Sequence, residues 1–204
     1  MPWRWEERHF PGKQPTLYTY GRVDGIDSVQ ATAVSSASMF RTVLQLPPAE
    51  VGHLQFSWKV PALIAASDMG RRDADDAPAR LVLAFDGDRS RFSTKDALLS
   101  ELARTLTGEE MPYATLTYVW CNHRPVGTVI PHPRTDRIRA LVVESGPMRL
   151  GQWVAYERDV QADFKLAFGE PAGGLLGVAL MTDSDNTRSD THAWYGPVRL
   201  LPQQ

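Results

Sequence analysis

Cysteine is nearly absent: Cys121 is the single one in 204 residues. An internal disulfide is therefore excluded, and the fold must stand on its core, which fits a reducing compartment. Long apolar runs are missing too, since no stretch of about 18 apolar residues exists to span a bilayer as a helix. Met1 to Phe10 is charged and aromatic rather than basic and then apolar, so it does not read as a signal peptide. A cytoplasmic location is expected of the chain as it stands, and a periplasmic one if an export signal has been removed. Nor is one sign of charge in excess, with 22 Lys and Arg against 24 Asp and Glu and a formal net charge of -2. Without a basic stripe to neutralise phosphates, no nucleic-acid partner is expected. The densest basic stretch, Arg134, Arg137 and Arg139, alternates with other residues and reads as the solvated face of a strand. Signatures of common enzymes are also lacking: there is no Gly-x-Ser-x-Gly elbow, no Walker loop and no dinucleotide fingerprint. Cys121, His123 and His132 do not have the repeated spacing of a zinc site.

What the chain does have is a core. Hydrophobic residues make up 43% and charged residues 23%, which excludes disorder for most of its length and allows one domain over residues 1–204. Leu54, Phe56, Trp58 and Val60 alternate with Gln55, Ser57 and Lys59, the period-two pattern of a strand with one buried face. Leu81 to Phe85 and Leu141 to Val143 are continuously apolar, as in strands covered on both sides. Further strands are expected near Leu17–Tyr20, Val29–Val34, Thr42–Leu46, Leu116–Trp120, Trp153–Tyr156, Leu175–Met181 and Tyr195–Leu201. Two segments have helical spacing instead. Leu98, Leu99, Leu102 and Leu106 follow a cap at Ser93 or Thr94 and precede Gly108; Val160, Phe164 and Phe168 follow Asp159 and precede Gly169. Many short strands between turn signals predict an all-β, jelly-roll-like β-sandwich with two short helical decorations. Leu54, Phe56, Trp58, Leu81, Leu83, Phe85, Leu116, Tyr118, Val142 and Val178 are expected to form one continuous core.

Two acidic segments are the first candidates for chemistry. Asp75 and Asp76, with Arg80 shortly after, could hold a cation or share a proton, or could simply bond backbone N–H groups and the arginine. Asp183, Asp185 and Asn186 leave an apolar strand in a loop of oxygen-bearing side chains, suited to a hard cation, to sugar hydroxyls, or to an Asx-turn. An EF-hand is rejected, because Arg188 stands where that loop needs glycine and Trp194 where it needs glutamate. The two segments are expected to meet at one end of the sheet, with Asp75, Asp76, Asp183 and Asp185 as candidate ligands for Ca²⁺. Flat aromatic rings can stack on sugars, and Trp194 and Tyr195, beside the polar loop, are the expected exposed rings.

Several segments together resemble a bacterial family, the domain of unknown function 3047. They are Pro15–Tyr18, Ser36–Ser38, Phe56–Val60, Asp75–Arg80, Leu116–Trp120, Glu157–Val160, Phe168–Glu170 and Met181–Thr187, in order along most of the chain. The resemblance implies a bacterial β-sandwich and brings no assigned activity. Members often carry an export signal, which is not seen here, and Met39 stands where a glycine is usual.

The function expected from these features is a non-catalytic module that binds carbohydrate or a similar polyhydroxylated ligand, with a structural calcium ion. Its ligand residues would be Asp76, Arg80, Asp183, Asp185, Asn186, Trp194 and Tyr195. Two alternatives stay open: a glycan hydrolase or lyase using paired aspartates, and a structural or protein-interaction domain.

Overall fold

The computed structural model describes residues 3–202. Its strands are β1 (Trp5–His9), β2 (Leu17–Val23), β3 (Ile26–Val34), β4 (Ser38–Leu46), β5 (His53–Lys59), β6 (Ala77–Phe85), β7 (Ala114–Cys121), β8 (Val129–Pro131), β9 (Ile138–Ser145), β10 (Trp153–Asp159), β11 (Leu175–Asp183), β12 (Asp190–Tyr195) and β13 (Arg199–Leu201). Two α-helices accompany them, α1 (Thr94–Thr107) and α2 (Val160–Phe168). Seven strands form one sheet in the order β1-β4-β11-β6-β7-β9-β8; the other six form a second in the order β10-β5-β12-β3-β2, with β13 also beside β5. The pairs are antiparallel except β7 with β9. The two sheets form a β-sandwich, as the strand pattern predicts.

Alternation explains which face each strand gives to the core. In β5, Leu54, Phe56 and Trp58 are buried while His53, Gln55, Ser57 and Lys59 stay partly exposed. Trp58 packs against Trp120 and Phe56 against Tyr118, so aromatic rings bridge the sheets. Leu81, Leu83, Phe85, Leu116 and Val178 share that core. Val142 does not, which corrects the expected single cluster. Leu141 and Val143 point inward, so Val142 between them points outward and packs with Met69, Val119, Cys121 and Ile130. Tyr195–Leu201 is likewise two strands rather than one. Pro197 has no N–H to donate to the ladder, and the chain resumes as β13 against Gln55.

The helices sit where their caps predict. The Ser93 side chain accepts from Asp96 N, and Gly108 ends α1 at φ 76°; Asp159 and Gly169 do the same for α2. In α2, Val160 and Phe164 are buried and Phe168 stacks on Phe164, as expected. In α1 the leucine stripe faces solvent: Leu98, Leu102 and Leu106 are exposed while Asp96 and Ser100 are buried. Polar anchors set this orientation, since Asp96 accepts from the Thr135 hydroxyl and Ser100 from Arg89. The basic stretch is corrected too. Arg134 lies in a turn, and only Arg139 belongs to a strand. Arg137 lies over Tyr113 and Arg139 over Phe168 rather than in open solvent.

Candidate functional site

The end of β11 lies beside the start of β6, with Asp183 opposite Ala77. This pairing brings together two segments separated by more than a hundred residues. Asp76 is fully buried and bonded through both oxygens: one accepts from Asn186 N at 3.2 Å, the other from Thr187 N at 2.7 Å and the Thr187 hydroxyl at 2.6 Å. Asp183 accepts from Ala77 N at 3.2 Å and from Arg80 Nε at 2.8 Å. The same guanidinium reaches Asp75, 2.9 Å away. Asp185 forms an ion pair with Lys13, and the Asn186 amide donates to Arg72 O at 2.8 Å. Oxygens of Asp76, Asp183 and Asp185 lie within 4.8 Å of one another.

The electrostatics follow from sharing one guanidinium. Burial opposes the charge on Arg80, yet Asp183 and Asp75 outweigh it and hold its pKa above the ordinary value. Asp183 receives only part of that charge. Burial pushes its carboxyl up to about 7, against the pull of Arg80 and with help from nearby Asp76 and Asp75. His132, with Nε2 3.5 Å from Asp75, is lowered by burial despite that carboxylate. The cluster is thus a joint that ties the β6 entrance to the 183–187 loop, balanced by Arg80, Lys13 and backbone donors.

The two expected rings part company. Tyr195 is only 2% exposed, which corrects its expected exposure. Alternation sends it inward, where its hydroxyl donates to Met181 O at 2.7 Å and accepts from Arg80 N at 3.2 Å. Trp194 faces outward on the six-stranded sheet, away from the acidic joint. Directly opposite it on β5 is Lys59, and opposite Lys59 on β10 is Trp153. The two tryptophans therefore share one face, roughly 10 Å apart by two strand spacings. Lys59 lies 5.7 Å from the Trp194 ring centre and pairs with Asp24 at 2.6 Å, while His192 meets the same ring edge-on.

Beside this aromatic row the face dips. A trough of about 490 Å³ is lined by Gln55, Ser57, Ala155, Glu157, Pro197 and Arg199. At its edge Gly196 leaves room for close packing: a Cβ there would come within 2.2 Å of Ser57 Oγ and 3.6 Å of the Trp153 ring. At the far side Gln55 donates to Glu157 at 2.7 Å, and Arg199 stands opposite Gln55 on β13. Of this face sequence reasoning found Trp194 alone. The outward positions Gln55, Ser57 and Lys59 were available from the β5 alternation; Trp153, Glu157 and Arg199 depended on strand order.

No helix among the described residues is long and apolar enough to cross a membrane. No curated protein matches the sequence. Among solved structures, the chain is similar to the xyloglucanase domain of NopAA, a type three effector from Sinorhizobium fredii, at 9% identity over 100% of this chain and 99% of that one, with a TM-score of 0.45. It is similar to the cellulose induced protein Cip1 at 9% identity over 97% and 91%, with a TM-score of 0.44. A carbohydrate-binding module specific for non-crystalline cellulose, CBM28, is similar at 12% identity over 96% and 86%, with a TM-score of 0.42. The profile of the family described as protein of unknown function, DUF3047, matches residues 3–199, and the chain belongs to that family.

Proposed function

We propose that residues 1–204 form one non-catalytic domain that binds carbohydrate on the outer face of its six-stranded sheet. The observation that carries this reading is the row Trp153, Lys59 and Trp194 beside a trough lined by an amide, a hydroxyl, a carboxylate and a guanidinium. Sugars need both halves. Their apolar ring faces stack on aromatic rings, and their hydroxyls need planar donors and acceptors in fixed places. Gln55, Glu157 and Arg199 offer such groups, and the hydrogen bond from Gln55 to Glu157 holds two of them in position.

The acidic joint plays a structural part in this proposal. Asp76 and Asp183 are turned to internal donors, and a buried carboxylate with its hydrogen bonds filled has little to give a ligand or a reaction. Arg80 beside Asp183 and Lys13 beside Asp185 supply positive charge to the joint, and calcium is not needed to account for it in this reading. A catalytic pair of aspartates would need to face the substrate across a few ångströms, and these two face the protein interior.

Calorimetric titration with a panel of soluble neutral polysaccharides and their oligosaccharides tests the reading. Saturable binding that is lost in Trp194→Ala and kept in Asp185→Asn is expected, with no new reducing ends and no heat from millimolar Ca²⁺. Binding that survives Trp194→Ala would place the ligand elsewhere, and silence across the panel would refute carbohydrate as the ligand.

A further inference from the structure

The strand registers divide the outer face of the six-stranded sheet into rows. β5 pairs with β10 without a register shift, Trp153 opposite Lys59 and Glu157 opposite Gln55. On the other side Lys59 faces Trp194 of β12, and Gln55 faces Arg199 of β13. One row is therefore Trp153, Lys59 and Trp194, and another is Glu157, Gln55 and Arg199. Positions 59 and 55 are an even step apart on β5, so both rows point outward, separated along the strand by about 13 Å.

The rows differ in chemistry. The first is aromatic, and its cation is already held by Asp24 at 2.6 Å. The second is polar: Gln55 donates to Glu157, and the exposed Arg199 forms no ion pair among the described residues. A guanidinium is a planar fork of donors that can bond two adjacent hydroxyls of one sugar. Between the rows the surface is continuous, since the Trp153 ring reaches Gly196 and the trough runs on past Ser57 and Pro197 to Arg199.

Resting on the carbohydrate reading above, we propose that this face takes an extended glycan chain, a trisaccharide or longer, laid along β5. One sugar stacks at Trp194, and a later one gives its hydroxyls to Arg199 and Gln55. A single sugar ring is far shorter than the gap between the rows and engages only one of them. A chain that spans both makes its second contact as an intramolecular step, which raises affinity beyond either contact alone. Chains linked through equatorial bonds at opposite corners of the ring, such as cello-oligosaccharides and β-linked manno-oligosaccharides, are extended ribbons that hold such a span. Malto-oligosaccharides coil away from it.

Calorimetric titration of the full chain with the cello- and β-linked manno-oligosaccharide series, from monosaccharide to hexasaccharide, tests the proposal. The monosaccharide and disaccharide should bind at least about tenfold more weakly than the longer chains, and maltohexaose at least about tenfold more weakly than the better of the two extended hexasaccharides. Arg199→Ala should weaken the hexasaccharide by roughly tenfold and leave the disaccharide unchanged, whereas Trp194→Ala should weaken both. Arg199 is exposed, and circular dichroism checks that the variant is folded. Full affinity in the disaccharide, equal binding of maltohexaose, an Arg199→Ala variant that weakens both lengths alike or neither, or silence of both extended series would each overturn the proposal. Should a neutral polysaccharide still bind through Trp194, the carbohydrate reading survives that failure; should none bind, both fall.

Discussion

The acidic joint and the outer face of the six-stranded sheet differ in a way that composition conceals. The joint gathers Asp75, Asp76, Asp183 and Asp185 in one place, yet Asp76 and Asp183 are spent on Arg80 and backbone N–H groups. The sheet face carries fewer charges, but its tryptophans and the polar rim of its trough face outward. Density of charge therefore marks the internally paired region here, and the outward-facing surface is the region proposed to bind. The proposed recognition face keeps its groups at the surface even where they pair with one another, as Gln55 does with Glu157.

Removing the central cation of the joint should have the largest effect. Arg80→Ala leaves Asp183 and Asp75 buried without their counter-ion, and should destabilise the fold by about 3–5 kcal/mol in chemical denaturation. The folded fraction should keep its glycan affinity. Loss of affinity with little loss of stability would reverse the roles assigned to the two regions.

A pH series sharpens the same contrast. The Asp183 carboxyl titrates near 7 in the folded protein and near 3.8 when unfolded, so the folded state holds the proton more tightly between those values. Its contribution to stability is fully present below the unfolded value and is lost as pH rises through about 7. The denaturation midpoint should thus fall between pH 5 and 8, with a gentler slope in Asp183→Asn. An unchanged slope would show that another group sets it.

Substitution on the sheet face should do the opposite of Arg80→Ala. Trp194→Ala is expected to cost about 1 kcal/mol of stability or less, because the ring is only half-buried, while glycan affinity falls by tenfold or more. The smallest effect is expected on α1. Leu102→Asp should change stability by less than about 0.5 kcal/mol, since that side chain is 51% exposed. A loss of several kcal/mol would mean that the leucine face of α1 packs against the protein after all.

Much of the architecture can be read from local pattern. Alternation in β5, the caps at Ser93 and Asp159, and Gly108 and Gly169 past the helix ends each act over a few residues, and each predicts its element. The inward face of α2 follows from Val160 and Phe164 in the same way. The face of α1 does not, because polar anchors outside the helix, Thr135 and Arg89, outweigh the leucine period. The acidic residues are conspicuous in the sequence, but their internal bonding is not. That the Asp76 carboxylate takes the N–H groups of Asn186 and Thr187 is a long-range fact of strand pairing. Trp153 and Trp194 become neighbours of Lys59 only through the order β10-β5-β12. Tyr195 shows the converse: its neighbour Trp194 is outward, so alternation alone places it in the core.

Hydrogen exchange with and without a bound oligosaccharide tests the central claim most directly, because it reports both regions in one experiment. Protection on ligand binding should appear over residues 53–59, 153–157 and 194–199, with exchange across 75–80 and 183–187 unchanged. Protection centred on 183–187, or none on the sheet face, would contradict the account.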